Sequence, residues 1–195
     1  MVVVGALSRS MVSEALFGGI AFDIIHRCRL PIFLVRLEEN TVEGMSYFQA
    51  ARCRYNQHVL FPTDFSATAD QAFQVVKEMA AAGAPKITLM HVQDQAHIDP
   101  HLLSNLTEFN EIDESRLTAM KETLQNLGAV DVDIVLAYGN PSREIINAVR
   151  DRQVQLTVMG SQGRGYVSDL FLGSISHNVA RQSDASVLLI PAKQI

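Results

Sequence analysis

Cysteine and basic residues are both scarce in this chain of 195 residues. Its two cysteines, Cys28 and Cys53, stand alone, without the spacing of metal ligands or redox pairs. They are expected to be small buried hydrophobic residues in a reducing, cytoplasmic setting. There are 16 Lys and Arg against 21 Asp and Glu, so the net charge is -5. Because sequence-independent binding to nucleic acid needs clustered Lys and Arg, no nucleic-acid partner is expected.

Long hydrophobic runs are also missing. The longest, Ala15–Ile25, is broken by Asp23 and is too short to cross a bilayer, so no membrane partner is expected. The apolar N-terminus has no basic region before it, which argues against a signal peptide. The composition, 48% hydrophobic and 19% charged, is that of a globular protein with a buried core. The length suits one domain of about 100–150 residues with something added.

From His58 onwards the pattern alternates between short apolar strands and amphipathic helices. Ser66 predicts the N-cap of the first helix, Gly128 the C-cap of the long second helix, and Asn140-Pro141 the start of the third. Such alternation predicts βαβ units and a parallel sheet covered on both faces. The predicted strands are His58–Pro62, Lys86–Val92, Val132–Ala137, Leu156–Met159 and Ser186–Ile190.

A glycine pattern follows the fourth predicted strand: Gly160-Ser161-Gln162-Gly163, nine residues, then Gly173-Ser174. Glycines at a strand end and a helix that begins Gly-Ser both present free backbone N–H groups, which can bind phosphate. Asp64 follows the first strand and is expected to meet this loop if the two strands are neighbours, since ligands of such sheets bind at the carboxyl ends of the strands. Asp64 would suit a ribose hydroxyl, an adenine amino group or a Mg²⁺ ion.

The loop is not a Walker A motif, because no Gly-Lys-Ser/Thr follows its glycines. No residue has the pattern of a poised general base, and no nucleophile constellation is present. The sequence therefore predicts nucleotide binding with no committed catalysis.

Residues 1–36 contain a partial repeat of the C-terminal region. Gly5 and Gly160 lie 155 positions apart, and the same offset pairs Gly18 with Gly173 and Leu34 with Leu189. The segment is therefore interpreted as strand, glycine loop, helix and strand from a second copy, which is too short to bury a core alone.

Four motifs in order resemble the universal stress protein family. They are Phe61–Ser66, Leu89–Val92, Gly139-Asn140-Pro141 and the glycine pattern, and the resemblance covers residues 58–195. It implies an α/β fold with an open five-stranded parallel sheet in strand order 3-2-1-4-5, helices on both faces, and in one branch of the family a bound ATP.

Carried across residue by residue, the resemblance implies an ATP site, with ADP or AMP as other ligands and Mg²⁺ as a companion ion. Pro62, Thr63, Asp64 and Val92 would surround the adenine and ribose. Met159 is included in the site as the residue before the loop. The phosphates would be surrounded by Gly160, Ser161, Gly163, Arg164, Gly173, Ser174, Ile175 and Ser176.

The chain resembles a tandem family member whose first copy is incomplete. Residues 1–36 would be the remnant of that copy, residues 37–57 a linker and residues 58–195 the complete domain. Ser8 replaces a loop glycine in the remnant, so no site is expected there. Family members commonly pair through their fifth strands. This implies a homo-oligomer, or pairing of Leu30–Val35 with Ser186–Ile190 within one chain.

Other interpretations stay open at this point. The glycine loop could be a turn and helix cap without a ligand, Asp64 a helix cap, and Arg164 a solvated charge. His91 is predicted to be a hydrogen-bonded core histidine, and His97 and His101 a solvated helix start rather than metal ligands. A nucleotide-responsive stress-response module is the leading function. The alternatives are a weak ATPase or phosphotransferase and a nucleotide-independent interaction scaffold.

Overall fold

The fold is described from a computed structural model that covers residues 1–7, 24–25, 27–42, 45–51, 54–94, 106–129, 131–163 and 172–192. The strands are β1 (Val2–Leu7), β2 (Ile32–Val42), β3 (Met45–Ala50), β4 (Val59–Pro62), β5 (Lys86–Asp94), β6 (Asp131–Gly139), β7 (Leu156–Gly160) and β8 (Ser186–Ile190). The helices are α1 (Ala67–Ala81), α2 (Leu106–Asn126), α3 (Pro141–Asp151) and α4 (Ser174–Gln182).

Local sequence signals fix the helix ends as predicted. Ser66 accepts a hydrogen bond from the amide of Ala69 at the start of α1. Asn140 accepts one from the amide of Arg143, with Pro141 in the first turn of α3. Gly83 and Gly128 follow α1 and α2 with φ of 82° and 113°, a conformation that glycine adopts without strain.

One mixed sheet runs through the molecule in the order β1-β2-β8-β7-β4-β5-β6, with β3 paired to β2. The five strands of residues 58–195 are all parallel to one another, and they lie in the order third, second, first, fourth, fifth. The sheet does not end there, however. Its eight strands replace the predicted open sheet of five, because β2 pairs with the edge of β8 and brings β1 and β3 with it.

The pairing of β2 with β8 is antiparallel and joins Ile32 to Leu189 and Leu34 to Val187. It is the intrachain pairing that was predicted between the N-terminal segment and the fifth strand. The pairing covers an edge that would otherwise present unpaired N–H and C=O groups.

The registers of the two parallel strand pairs at this edge match. Val2 lies opposite Ile32 in the pair β1–β2, and Thr157 lies opposite Val187 in the pair β7–β8. Each residue of the second pair lies 155 positions after its counterpart in the first. The strand registers thus show the same offset as the sequence.

Residues 37–57, predicted as a linker, instead contain the end of β2 and all of β3. Leu37–Val42 and Met45–Ala50 pair as an antiparallel hairpin. Polar residues such as Glu38, Glu39 and Asn40 conceal these strands in the sequence, because the hairpin is largely exposed and has no buried alternating face.

Apolar side chains cover both faces of the sheet. One cluster, with α3 and α4, includes Leu34, Leu60, Val149, Val179 and Leu189. The other, with α1 and α2, includes Phe61, Val76, Leu117, Leu124 and Val158. None of the helices in the described part of the chain combines the length and hydropathy that a bilayer crossing requires.

Candidate functional site

A hydrogen-bonded turn follows β4 and orients Asp64. The amide of Phe65 donates to Thr63 Oγ1 at 2.9 Å, and the amide of Ser66 donates to Asp64 Oδ1 at 3.1 Å. The amide of Thr63 donates to the carbonyl of Met90 at 2.8 Å, which anchors the turn to β5. The carboxylate of Asp64 is therefore held by its own turn, with one oxygen committed to the backbone.

Phe65 has a φ of 57°, in the left-handed region that a bulky side chain rarely occupies. Its ring packs against the imidazole of His91, with centroids 4.6 Å apart, and the guanidinium of Arg116 lies 5.1 Å from its centroid. These contacts hold a backbone conformation that is unfavourable in isolation.

The loop after β7 is tied to β8 and α4. The amide of Ser161 donates to the carbonyl of Ile190, and the amide of Gly173 donates to the carbonyl of Ser161, both at 2.8 Å. The hydroxyl of Ser176 donates to the carbonyl of Gly160 at 2.8 Å and is buried. The start of α4 is thus fixed directly beside the end of β7.

Close contacts within the protein favour glycine at positions 160 and 173. A Cβ at Gly160 would lie 3.0 Å from Thr68 Cγ2 and 3.2 Å from its backbone carbon, so a side chain there would require the start of α1 to shift slightly. A Cβ at Gly173 would lie 3.3 Å from the carbonyl oxygen of Ser161. Gly160 therefore has a packing reason that applies without any ligand, in addition to the phosphate binding that the sequence predicts for this loop.

The contact at Gly163 brings the two strand ends together. A Cβ there would lie 2.9 Å from Asp64 Oδ2. Asp64 and the glycine loop therefore meet, as predicted from the neighbouring positions of their strands. The oxygen that faces Gly163 is the one that the Ser66 amide does not hold.

The N-terminus of α4 lies beside Gly163. Its N-cap is Gly173, which makes no side-chain capping hydrogen bond, and its first turn contains no acidic residue. Ser174 is exposed and Ile175 is half-buried. The first backbone N–H groups of a helix lack intrahelical partners and carry a partial positive charge, so this terminus is suited to an anion.

Apolar residues form the other side of the site. Val92 and Met159 are buried in the cluster beside α3 and α4, together with Leu172, and Ile175 packs against that cluster. Pro62 is buried at the end of β4, and Thr63 follows it. Apolar side chains therefore lie beside the strand ends that carry Asp64 and the glycine loop.

The predicted site residues thus fall into three groups. The structure gathers most of them at the carboxyl ends of β4, β5 and β7 and at the start of α4. The predicted hydroxyl donor Ser176 points inward to Gly160, so its hydrogen already has an acceptor. The site residue Arg164 lies outside the described residues, as do His97 and His101, which were predicted to be a solvated helix start and not site residues.

Sequence reasoning missed the partners that hold the Asp64 turn. His91 is buried and hydrogen-bonded as predicted, with Nδ1 2.7 Å from the carbonyl oxygen of Thr63. Asp113 and Arg116 of α2 and the left-handed Phe65 were not anticipated. These contacts join residues far apart in the chain, and no local pattern marks them.

Comparison with known proteins places the fold in a family. The sequence model of the universal stress protein family matches residues 56–191. The chain belongs to this family. Universal stress protein MJ0577 of Methanocaldococcus jannaschii is 30% identical over an alignment of 154 positions that covers 69% of this chain and 94% of the relative. YxiE of Bacillus subtilis is 31% identical over 140 residues, covering 66% and 92%.

Solved structures of the same family share this fold. The structure of MJ0577 superposes with a TM-score of 0.62 at 29% identity, covering 72% of this chain and 99% of that chain. Relatives that match nearly the whole chain are longer than it. Rv2005c of Mycobacterium tuberculosis is 21% identical over 193 residues, which are 97% of this chain and 61% of the relative.

Proposed function

We propose that this universal stress protein binds an adenine nucleotide, ATP above all, at the carboxyl ends of β4 and β7 and acts as a nucleotide-responsive regulatory module. The observation that carries the proposal is the approach of Asp64 Oδ2 to Gly163 beside the uncapped start of α4. A carboxylate, a glycine loop and a helix N-terminus together offer ligands for sugar hydroxyls and for phosphate oxygens.

In this proposal the phosphates lie against Gly163 and the first turn of α4. The backbone N–H groups of Ser174 and Ile175 and the Ser174 hydroxyl donate to phosphate oxygens. Arg164 is assigned to the same phosphates from its place in the loop sequence. The hydrogen bonds described above for Gly160, Ser161, Gly173 and Ser176 are internal, so these four residues support the loop.

The base and the ribose lie on the apolar side. Pro62, Val92 and Met159 would contact the adenine, and Thr63 and Asp64 the sugar. Among the described residues no three His, Cys, Asp or Glu side chains are grouped as metal ligands. A Mg²⁺ ion would accordingly be shared between Asp64 and phosphate oxygens, as is usual for this ion.

One solved relative bears on the class of ligand. A universal stress protein in complex with cAMP superposes on 70% of this chain with a TM-score of 0.53 at 23% identity. That protein holds an adenine nucleotide with a single phosphate on the same fold. The number of phosphates preferred here is therefore decided by comparing ATP, ADP, AMP and cAMP in one titration series.

Calorimetric titration of the full chain with ATP and Mg²⁺ tests the proposal. We expect saturable binding that weakens at least about tenfold in Ser174→Asp, equivalent to about 1.4 kcal/mol, because the new carboxylate repels phosphate. The same change suits a helix N-terminus, so the melting temperature without nucleotide should stay equal or rise. Ser174→Ala is the matched comparison: it removes the hydroxyl donor without adding a charge, so it should bind more weakly than the unmodified chain but more tightly than Ser174→Asp.

An unmodified chain that binds no adenine nucleotide would contradict the proposal. Equal binding by Ser174→Asp would place the phosphates elsewhere. Gly163→Val is less informative, because its side chain would displace Asp64 as well as phosphate.

The proposal extends to the division of the chain. Residues 1–36 are assigned as the last third of a first copy, and residues 58–195 as the complete copy that binds nucleotide. The matching registers of β1–β2 and β7–β8 support this division. The β2–β8 pairing then takes the place of a contact between two chains.

A further inference from the structure

The imidazole of His91 joins the Asp64 turn to helix α2. On one side, His91 Nδ1 lies 2.7 Å from the carbonyl oxygen of Thr63. A carbonyl oxygen only accepts hydrogen bonds, so Nδ1 carries the hydrogen and donates it. The bond ends on the residue immediately before Asp64.

On the other side, His91 Nε2 lies 3.4 Å from Asp113 Oδ2 on α2. The same oxygen accepts a hydrogen bond from Gln93 Nε2 at 3.1 Å, and Arg116 Nη1 lies 3.7 Å from Asp113 Oδ1. The side chains of His91 and Asp113 are only 11% and 14% exposed. The imidazole is thus held at Nδ1, and its Nε2 lies beside a carboxylate that Gln93 and Arg116 contact in turn.

The face of the same ring supports Phe65, whose φ of 57° needs support from its surroundings. Phe65 and Ser66 supply the amides that hold Thr63 Oγ1 and Asp64 Oδ1. His91 therefore contacts the turn at its carbonyl and at its strained residue, and the turn fixes which oxygen of Asp64 faces Gly163.

We propose that His91 is a positioning residue for the nucleotide site, which holds the carboxylate of Asp64 against the glycine loop through the Thr63 carbonyl and the Phe65 ring. The inference rests on the proposed function for its effect on binding. It further makes α2 a support of the site, because Asp113 of α2 contacts the imidazole of His91.

Three substitutions separate the roles of the ring. His91→Asn places an amide nitrogen near the position of Nδ1, so it retains a donor to Thr63. His91→Gln reaches Asp113 instead, and His91→Leu does neither. We expect ATP affinity to be at least about tenfold weaker for His91→Gln and His91→Leu. His91→Asn keeps the donor to Thr63 but loses the ring contact with Phe65, so its affinity should lie between those variants and the unmodified chain.

His58→Leu is the matched control. His58 is also buried, and its ring nitrogens contact the carbonyl of Arg152 and the hydroxyl of Thr88, at the opposite ends of the strands. It should lower the melting temperature and leave ATP affinity unchanged, which separates positioning from general stability. If His91→Leu does not fold, His91→Gln supplies the same comparison.

Hydrogen exchange of the nucleotide-free chain gives a readout that does not depend on ATP. The amides of Phe65 and Ser66 should exchange at least about tenfold faster in His91→Leu and His91→Gln than in the unmodified chain or His58→Leu. Unchanged exchange at these amides, or ATP binding by His91→Leu at the unmodified affinity, would overturn the inference. Absence of ATP binding by the unmodified chain would overturn the proposed function, and the exchange experiment would still decide whether His91 holds the turn.

Discussion

His58 and His91 are both buried, but their surroundings differ. The ring of His91 lies between a carbonyl and a carboxylate. The ring of His58 lies between the Arg152 carbonyl and the Thr88 hydroxyl, with Lys86, Arg152 and Asp133 as the nearby charges. Burial lowers the pKa of His58 from its ordinary value of 6.5, opposed by the hydrogen bond to Arg152 and reinforced by Lys86 and Arg152.

His58 is therefore expected to make folding stability depend on pH. With a lowered pKa, the folded chain binds fewer protons than the unfolded chain, so stability rises with pH in this range. The contribution of His58 is complete above pH 6.5 and is lost as the pH falls from there through the lower pKa of the folded state. Urea unfolding of the unmodified chain and of His58→Asn on both sides of this pH measures the difference.

The variant retains a donor for the Arg152 carbonyl but no group that titrates. Its stability should fall less than that of the unmodified chain as the pH is lowered. An identical fall in both proteins would exclude His58 as the source.

The site itself shows what the sequence can predict of single residues. Asp64 and Gly163 were expected to meet, because both follow strands that a doubly wound sheet places side by side. The inward hydroxyl of Ser176 and the left-handed Phe65 were not. Both depend on contacts that exist only after the chain has folded, with Gly160 and with His91.

At the scale of elements, Arg36 links β2 to β8, to the end of β3 and to α4. Its amide donates to Ser186 Oγ of β8, its carbonyl accepts from the amide of Ala51 after β3, and its guanidinium donates to the carbonyl of Ala180 in the last turn of α4. Burial lowers the pKa of Arg36 to about 10, opposed by Asp184, so the side chain remains charged near neutral pH. The cation satisfies a helix C-terminus that would otherwise present unpaired carbonyls.

We expect Arg36→Ala to lower the free energy of unfolding by about 2 kcal/mol, since the packed stem and the bond to α4 are lost together. Arg181→Ala is the matched control, because Arg181 is a basic residue of the same last turn but is exposed. Its effect should lie within about 0.5 kcal/mol. Equal losses in the two variants by urea unfolding would show that the position of Arg36 between the elements is unimportant.

The elements of residues 58–195 were predictable because each strand is short, apolar and bounded by caps such as Ser66 and Asn140. The hairpin of β2 and β3 was not. Its residues, among them Met45 and Phe48 at 74% and 55% exposed, do not alternate between a core and solvent. Leu37–Val42 can be recognised as a strand only from its pairing with Met45–Ala50 in the structure.

For the whole molecule, the pairing of β2 with β8 decides which edges remain open. Without residues 1–55, the edge of β8 would be exposed. All five residues of β8 are buried in the intact sheet, and all but Ser186 are apolar. Such an edge pairs readily with another strand. We expect a chain beginning at Asn56 to dimerise or aggregate at concentrations at which the full chain does neither.

Sedimentation velocity of the two chains at the same concentration measures this difference. A shortened chain that sediments as a folded monomer would show that β8 does not need β2. Retention of ATP binding by that monomer would also show that the nucleotide site does not need β2.

Because one polypeptide supplies both sides of the β2–β8 seam, a substitution there occurs once, whereas in a dimer of identical chains it would occur twice around the symmetry axis. Position 36 in β2 is a buried arginine, whereas its counterpart 155 positions later, directly after β8, is Pro191. The two halves can therefore diverge independently, and dilution does not separate them.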